Sequence, residues 1–280
     1  MRKSSVSMKY AICNETFGDW PREKAFSFAS ECGYTGVEVA PFTLAPEVTA
    51  VSPALRAQVR GEAEGAGLEI MGLHWLLAKT EGYHLTSSDG QMRKRTSTYL
   101  IELAKLCRDL GGEIMVFGSP PQRNREAGMS LESATDNAVD VLTAALPAIE
   151  DLGVTLALEP LSPKETDFLT TAAETVALIE RLESVACRLH LDVKAMASET
   201  KSAADLIRQY ASYLVHFHAN DPNLQGPGFG DEDFAPIFAA LRDVNYCGWM
   251  SVEVFDYEPG IERLVRESLS YMQGIVAQAG

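Results

Sequence analysis

Three observations predict that this chain folds as a single (β/α)₈ barrel, an α/β class. Eight short apolar runs alternate with helical patterns along almost the whole length. That alternation requires parallel pairing, because each helix must return the chain to the same end of the sheet. The length, 280 residues with 46% hydrophobic content, suits one closed barrel. No glycine-rich dinucleotide fingerprint follows any strand, which weighs against an open doubly wound sheet.

The elements read in order. Residues 1–7 look like an untethered leader, and the barrel domain is expected over 8–280. The first strand is Tyr10–Cys13; Asp19-Trp-Pro21 then opens a helix that Gly33 closes. The second strand, Gly36–Ala40, leads to Ser52-Pro53, an N-cap followed by proline at the first helical position; that helix runs to Gly65-Ala-Gly67. Strand three is Leu68–Trp75, followed by a long helix from about Ser88 to Leu110-Gly111-Gly112. Strand four, Glu113–Gly118, precedes a helix from Ser130 to Leu152-Gly153. The remaining strands are Thr155–Glu159, Arg188–Val193, Leu214–His218 and Trp249–Val254. Their helices fall near Thr171–Glu183, Ser202–Tyr210, Asp233–Val244 and Ile261–Gln273.

Composition narrows the function. A net charge of −15 without a Lys/Arg block disfavours nucleic acid as a partner. No run is long enough to span a membrane, and no apolar signal segment opens the chain. Five scattered cysteines without a CxxC pair read as reduced thiols, and so as a cytoplasmic protein.

The last four strands each carry one metal-ligand-type side chain at the carboxyl end: Glu159, Asp192, His218 and Glu253. Charges rarely sit in such apolar runs unless paired, and one shared cation would pair all four. Strand alternation turns them to a common side, and barrel enzymes keep their chemistry at that end. Three carboxylates and one imidazole suit Mn²⁺ first, with Mg²⁺, Co²⁺ or Zn²⁺ as alternatives. Six further residues are candidates for substrate contact. His74 and Trp75 close the third strand, as a polar clamp beside an aromatic floor; His74 as a backbone-bonded core histidine is the competing reading. Glu38 faces either the pocket or a salt-bridge partner. Lys194 follows the aspartate by two residues and is directed inward by alternation, unless it is a surface loop lysine. Glu165 lies in the loop after the fifth strand, and Arg123 in the loop after the fourth, where it could meet an anion.

These motifs resemble the xylose-isomerase-like barrel superfamily of sugar isomerases and epimerases, including ketose 3-epimerases and hydroxypyruvate isomerases. The resemblance covers essentially the whole chain. It rests on Leu158-Glu159-Pro160, His190-Leu-Asp192, His218-Ala-Asn220-Asp221 and Val252-Glu253-Val254, supported by Gly72-Leu-His-Trp-Leu-Leu77, Val116-Phe-Gly-Ser-Pro120 and Gly226-Pro-Gly-Phe-Gly230. It implies a metal-dependent isomerase or epimerase acting on a small ketose or keto-acid through an enediolate. Glu159 and Glu253 would exchange the proton. It also implies a small carbohydrate-like substrate and a homodimer or homotetramer. Ala195 and Leu224 depart from the histidine and arginine that ketose 3-epimerases usually carry at those places. The alternatives are a lyase or hydratase on a 3-keto-sugar or keto-cyclitol, and a non-catalytic sugar-binding barrel.

Overall fold

Each of the eight apolar runs forms a strand, and the strands close on themselves. In the computed structural model, which describes residues 8–278, β1 (Lys9–Cys13), β2 (Gly36–Val39), β3 (Glu69–Leu73), β4 (Ile114–Phe117), β5 (Thr155–Leu158), β6 (Cys187–Asp192), β7 (Leu214–Ala219) and β8 (Trp249–Val252) pair in sequence order. All pairs are parallel, and Lys9–Ile12 closes the ring against Trp249–Val252. The leader expected over residues 1–7 lies outside the described residues.

Helices α1 (Arg22–Cys32), α2 (Pro53–Gly65), α3 (Gly90–Leu110), α4 (Leu131–Asp151), α5 (Ala172–Leu182), α6 (Val193–Met196), α7 (Ala203–Gln209), α8 (Phe234–Asp243) and α9 (Ile261–Gln278) form the outer layer. Their starts follow local chemistry. Ser52, Ser130 and Ser202 each accept a hydrogen bond from a backbone N–H three residues on, as N-caps do. Gly33 ends α1 at φ 103°, a left-handed cap that a side chain would strain.

Alternation sorts the strand residues. Val37, Val39, Leu189, Leu191 and Phe217 join the apolar layer between sheet and helices. Their neighbours Glu38, His190, Asp192, His216 and His218 are also buried, but they turn into the bore. Glu38 on β2 reaches His216 and His218 on β7 across that bore, at 2.9 and 3.1 Å. The upper interior of the barrel is therefore polar, which positions the site.

Most strand boundaries shift by a residue or two from the sequence expectation, and the shifts after β5, β6 and β8 bear on the site. Glu159 and Glu253 stand one residue beyond β5 and β8, although the ladder still reaches them through Glu159 N to Phe117 O and Glu253 N to Ala219 O. The one-turn helix α6 follows β6 at once, because the Asp192 carboxylate caps it by accepting from Ala195 N at 2.7 Å. Lys194 thus gets its direction from a helical turn, not from strand alternation.

Candidate metal centre and substrate cavity

The four strand-end residues meet at the carboxyl mouth of the barrel, and all four are buried. Glu159, Asp192 and His218, together with His190, offer donor atoms within 4.8 Å of one another. Glu253 joins through His218, whose Nδ1 lies 3.1 Å from Glu253 Oε2. Side-chain hydrogen bonds hold two of the ligand candidates. The Trp75 indole N–H donates to Glu253 Oε1 at 2.7 Å, and Asn220 Nδ2 donates to Asp192 Oδ2 at 2.5 Å. Gly118 leaves room for Glu159, since a methyl group there would collide with its Oε2. Asn220 and Gly118 sat within quoted motifs but had no role assigned from sequence.

Beneath the mouth lies a layer of histidines. His190 and His216 stand 5.1 Å apart between ring centroids, and His190 and His218 stand 4.2 Å apart. Burial works against the Glu38 charge, but His216 and His218 outweigh it and hold its carboxyl well below the usual range. Glu38 does not line the cavity. It occupies the salt-bridged place, one of the two open to it from sequence.

Above the ligands opens a cavity of about 310 Å³, within the range of small-molecule sites. Glu159, His218 and Glu253 line its floor, with His74, Trp75, Val116, Leu161, Lys194, Glu165 and Phe255 around them. Trp75 adopts φ 53°, a left-handed backbone uncommon for an aromatic residue, and packs its ring between Phe42 and Phe255. Lys194 Nζ donates to Glu165 Oε1 at 2.6 Å, so these two candidates form one polar pair on the wall. Among the described residues the His74 imidazole bonds no backbone group; its Nε2 meets Glu15 Oε2 at 2.7 Å. Burial opposes a charged His74, yet Cys13 and Glu15 outweigh it and raise its pKa well above the ordinary histidine value. Glu15 carried no signal in the sequence, because the 3₁₀ turn Asn14–Phe17 that aims it has no periodicity to read.

Arg123 is placed otherwise than expected. It is fully buried and does not line the cavity. Its two Nη groups donate to Glu159 O at 2.6 Å and Leu169 O at 2.9 Å. The guanidinium therefore pins the start and the return of the loop that carries Glu165. The family-departing positions are also spoken for: Ala195 N caps onto Asp192, and Leu224 is 44% exposed with its carbonyl bonded to Phe255 N and Asp256 N.

The donors suit a divalent cation. Burial, then repulsion from Asp192 and Glu253, pushes the Glu159 carboxyl up to about 8. Burial likewise raises Asp192. Both nitrogens of the buried His190 lack a hydrogen-bond partner, an expensive state for an enclosed imidazole. Crowded carboxylates and an unpartnered imidazole within one 4.8 Å group are what a hard or borderline cation would relieve.

Fold and site together define a (β/α)₈ barrel with a candidate cation centre at its carboxyl end. Residues 26–275 match the xylose isomerase-like TIM barrel family model, and the chain belongs to that family. It is 34% identical to an L-ribulose 3-epimerase of Mesorhizobium japonicum over 190 residues, 66% of this chain and 61% of that protein. It is 28% identical to a D-psicose 3-epimerase of Agrobacterium fabrum, over 89% of this chain and 85% of the relative. A crystal structure of a D-psicose 3-epimerase in the presence of D-fructose superposes with a TM-score of 0.85 at 22% identity, covering 96% of this chain and 99% of the other. These curated relatives are isomerase-class enzymes.

Proposed function

We propose that this chain is a divalent-cation-dependent ketose 3-epimerase, with Mn²⁺ the preferred ion. The observation that carries the reading is the convergence of Glu159, Asp192, His218 and Glu253 from four consecutive strands beneath a sugar-sized cavity. The names of the curated relatives support the same chemistry. Those four side chains would hold the cation, which when bound neutralises charge developing on the ketose oxygens as the neighbouring carbon loses its proton.

The protein's own groups do the rest. Glu159 and Glu253 stem from strands three apart round an eight-strand ring, and both line the cavity. A ketose lying between them presents one face to each carboxylate. One takes the C3 proton and the other returns a proton from the opposite side, which inverts that carbon. Trp75 and His218 each hold one oxygen of Glu253, so its carboxylate keeps a fixed orientation. Arg123 steadies Glu159 through its backbone carbonyl. The Lys194–Glu165 pair and His74 offer polar contacts for hydroxyls, while Val116, Leu161 and Phe255 keep water from the exchanging proton. All five cysteines are free, which suits the reducing cytoplasm.

The test is epimerisation of L-ribulose, D-psicose and D-fructose by protein stripped with a chelator and then reloaded with Mn²⁺, with products resolved by chromatography. A C3 epimer is expected from at least one ketose, in the loaded sample alone. Failure of every ketose with the ion bound would overturn the reading.

A further inference from the structure

A second group of donors stands beside the first, and the proposed proton transfer leaves most of it unused. Cys13 ends β1, Glu15 lies in the 3₁₀ turn that follows, His74 follows β3, and Glu253 follows β8. One donor atom from each falls within 4.8 Å of the other three. Cys13 and His74 are fully buried, and the Glu15 side chain is only 10% exposed. These elements occupy the arc of the ring opposite β5–β7, and Glu253 is where the two groups touch.

Two features point to a missing ligand. Glu15 Oε2 takes His74 Nε2, but its enclosed Oε1 has no partner, an expensive state for a carboxylate so little exposed. The ion-pair partners of Glu15, Glu38 and Glu253 are histidines, not lysine or arginine. Glu15, Glu38, Glu159, Asp192 and Glu253 are all crowded at this end of the bore.

We propose that Cys13, Glu15, His74 and Glu253 form a second divalent-cation site, with the Glu253 carboxylate shared between the two ions. A thiolate, an imidazole and two carboxylates favour a borderline ion, Zn²⁺ or Co²⁺, whereas the first site is richer in oxygen. Binding releases the Cys13 thiol proton, and any proton on His74, to solvent. His74 and Glu253 both line the cavity, so the second ion sits on its wall.

The test uses the full chain, stripped by chelator, dialysed against Co²⁺ and freed of excess ion. Cobalt per chain is counted by mass spectrometry, and thiolate-to-cobalt charge transfer is read in the near ultraviolet. The wild type should hold two ions and show the thiolate band. Cys13→Ala should lose the band and one ion. Glu15→Gln, which keeps the thiol, should also lose one ion, so the test survives if either variant fails to fold. Asp192→Asn lies outside the second group and should lose one ion while keeping the band. A wild type that holds a single ion without the band overturns the second site and leaves the epimerase reading standing. Retention of two ions by Cys13→Ala and Glu15→Gln overturns it as well. A wild type that binds no ion refutes both.

Discussion

Trp75→Phe isolates one hydrogen bond at Glu253, one of the two carboxylates proposed to carry the proton. The indole N–H donates to Glu253 Oε1 at 2.7 Å, while His218 holds Oε2. Phenylalanine retains an aromatic ring against Phe42 and Phe255 but has no donor, so Oε1 is left without that partner in a buried wall. A hydrogen bond to a charged group contributes about 1.5–3 kcal/mol. If that energy serves to orient Glu253 for proton transfer, kcat falls by roughly 10- to 100-fold, at about 1.4 kcal/mol per tenfold. Epimerisation kinetics on Mn²⁺-loaded protein read kcat and KM separately, and a thermal melt reports the fold. The expected result is a kcat loss of that size with KM little changed and the melting midpoint lowered by a few degrees. A kcat within threefold of the wild type, with only KM raised, would refute the orienting role and leave Trp75 as cavity wall.

Three other substitutions probe the supports of the site. Gly118→Ala should fold but displace the Glu159 carboxylate, weakening Mn²⁺ binding by about tenfold or more, as read by electron paramagnetic resonance titration. Asn220→Ala removes the donor to Asp192 Oδ2 and the acceptor for Lys194 N; metal affinity should drop by about 10- to 100-fold, measured by calorimetry. Arg123→Met strips Glu159 O of its guanidinium donor, whereas Leu169 O keeps Leu161 N. Urea unfolding should show a loss of about 1–3 kcal/mol, partly recovered by Arg123→Lys.

The sequence made legible what period and strand position control. All eight strands, their parallel order and the four ligand candidates follow from alternating apolar runs, because a residue near the tip of a barrel strand has few places to point. What escaped depends on loops. Lys194 looked like a strand-tip residue, but the Asp192 cap starts a helix immediately and turns it onto Glu165. Arg123 looked like a loop arginine facing solvent or an anion. Its burial follows from two carbonyls supplied 36 and 46 residues further on, a pairing no local pattern reveals. Glu15 and His74 are 59 residues apart and meet only because β1 and β3 end on the same rim. Cys13 read as one of five structural thiols; only the closed barrel sets it beside three other donors.

The central claim is that the metal-loaded site exchanges the proton at C3 of a ketose. The most direct measurement is deuterium incorporation into D-psicose in D₂O, located by NMR, for chelator-stripped and Mn²⁺-reloaded protein. Deuterium is expected at C3 alone, in the reloaded sample alone. Deuterium at C1, or exchange that survives removal of the ion, would contradict it.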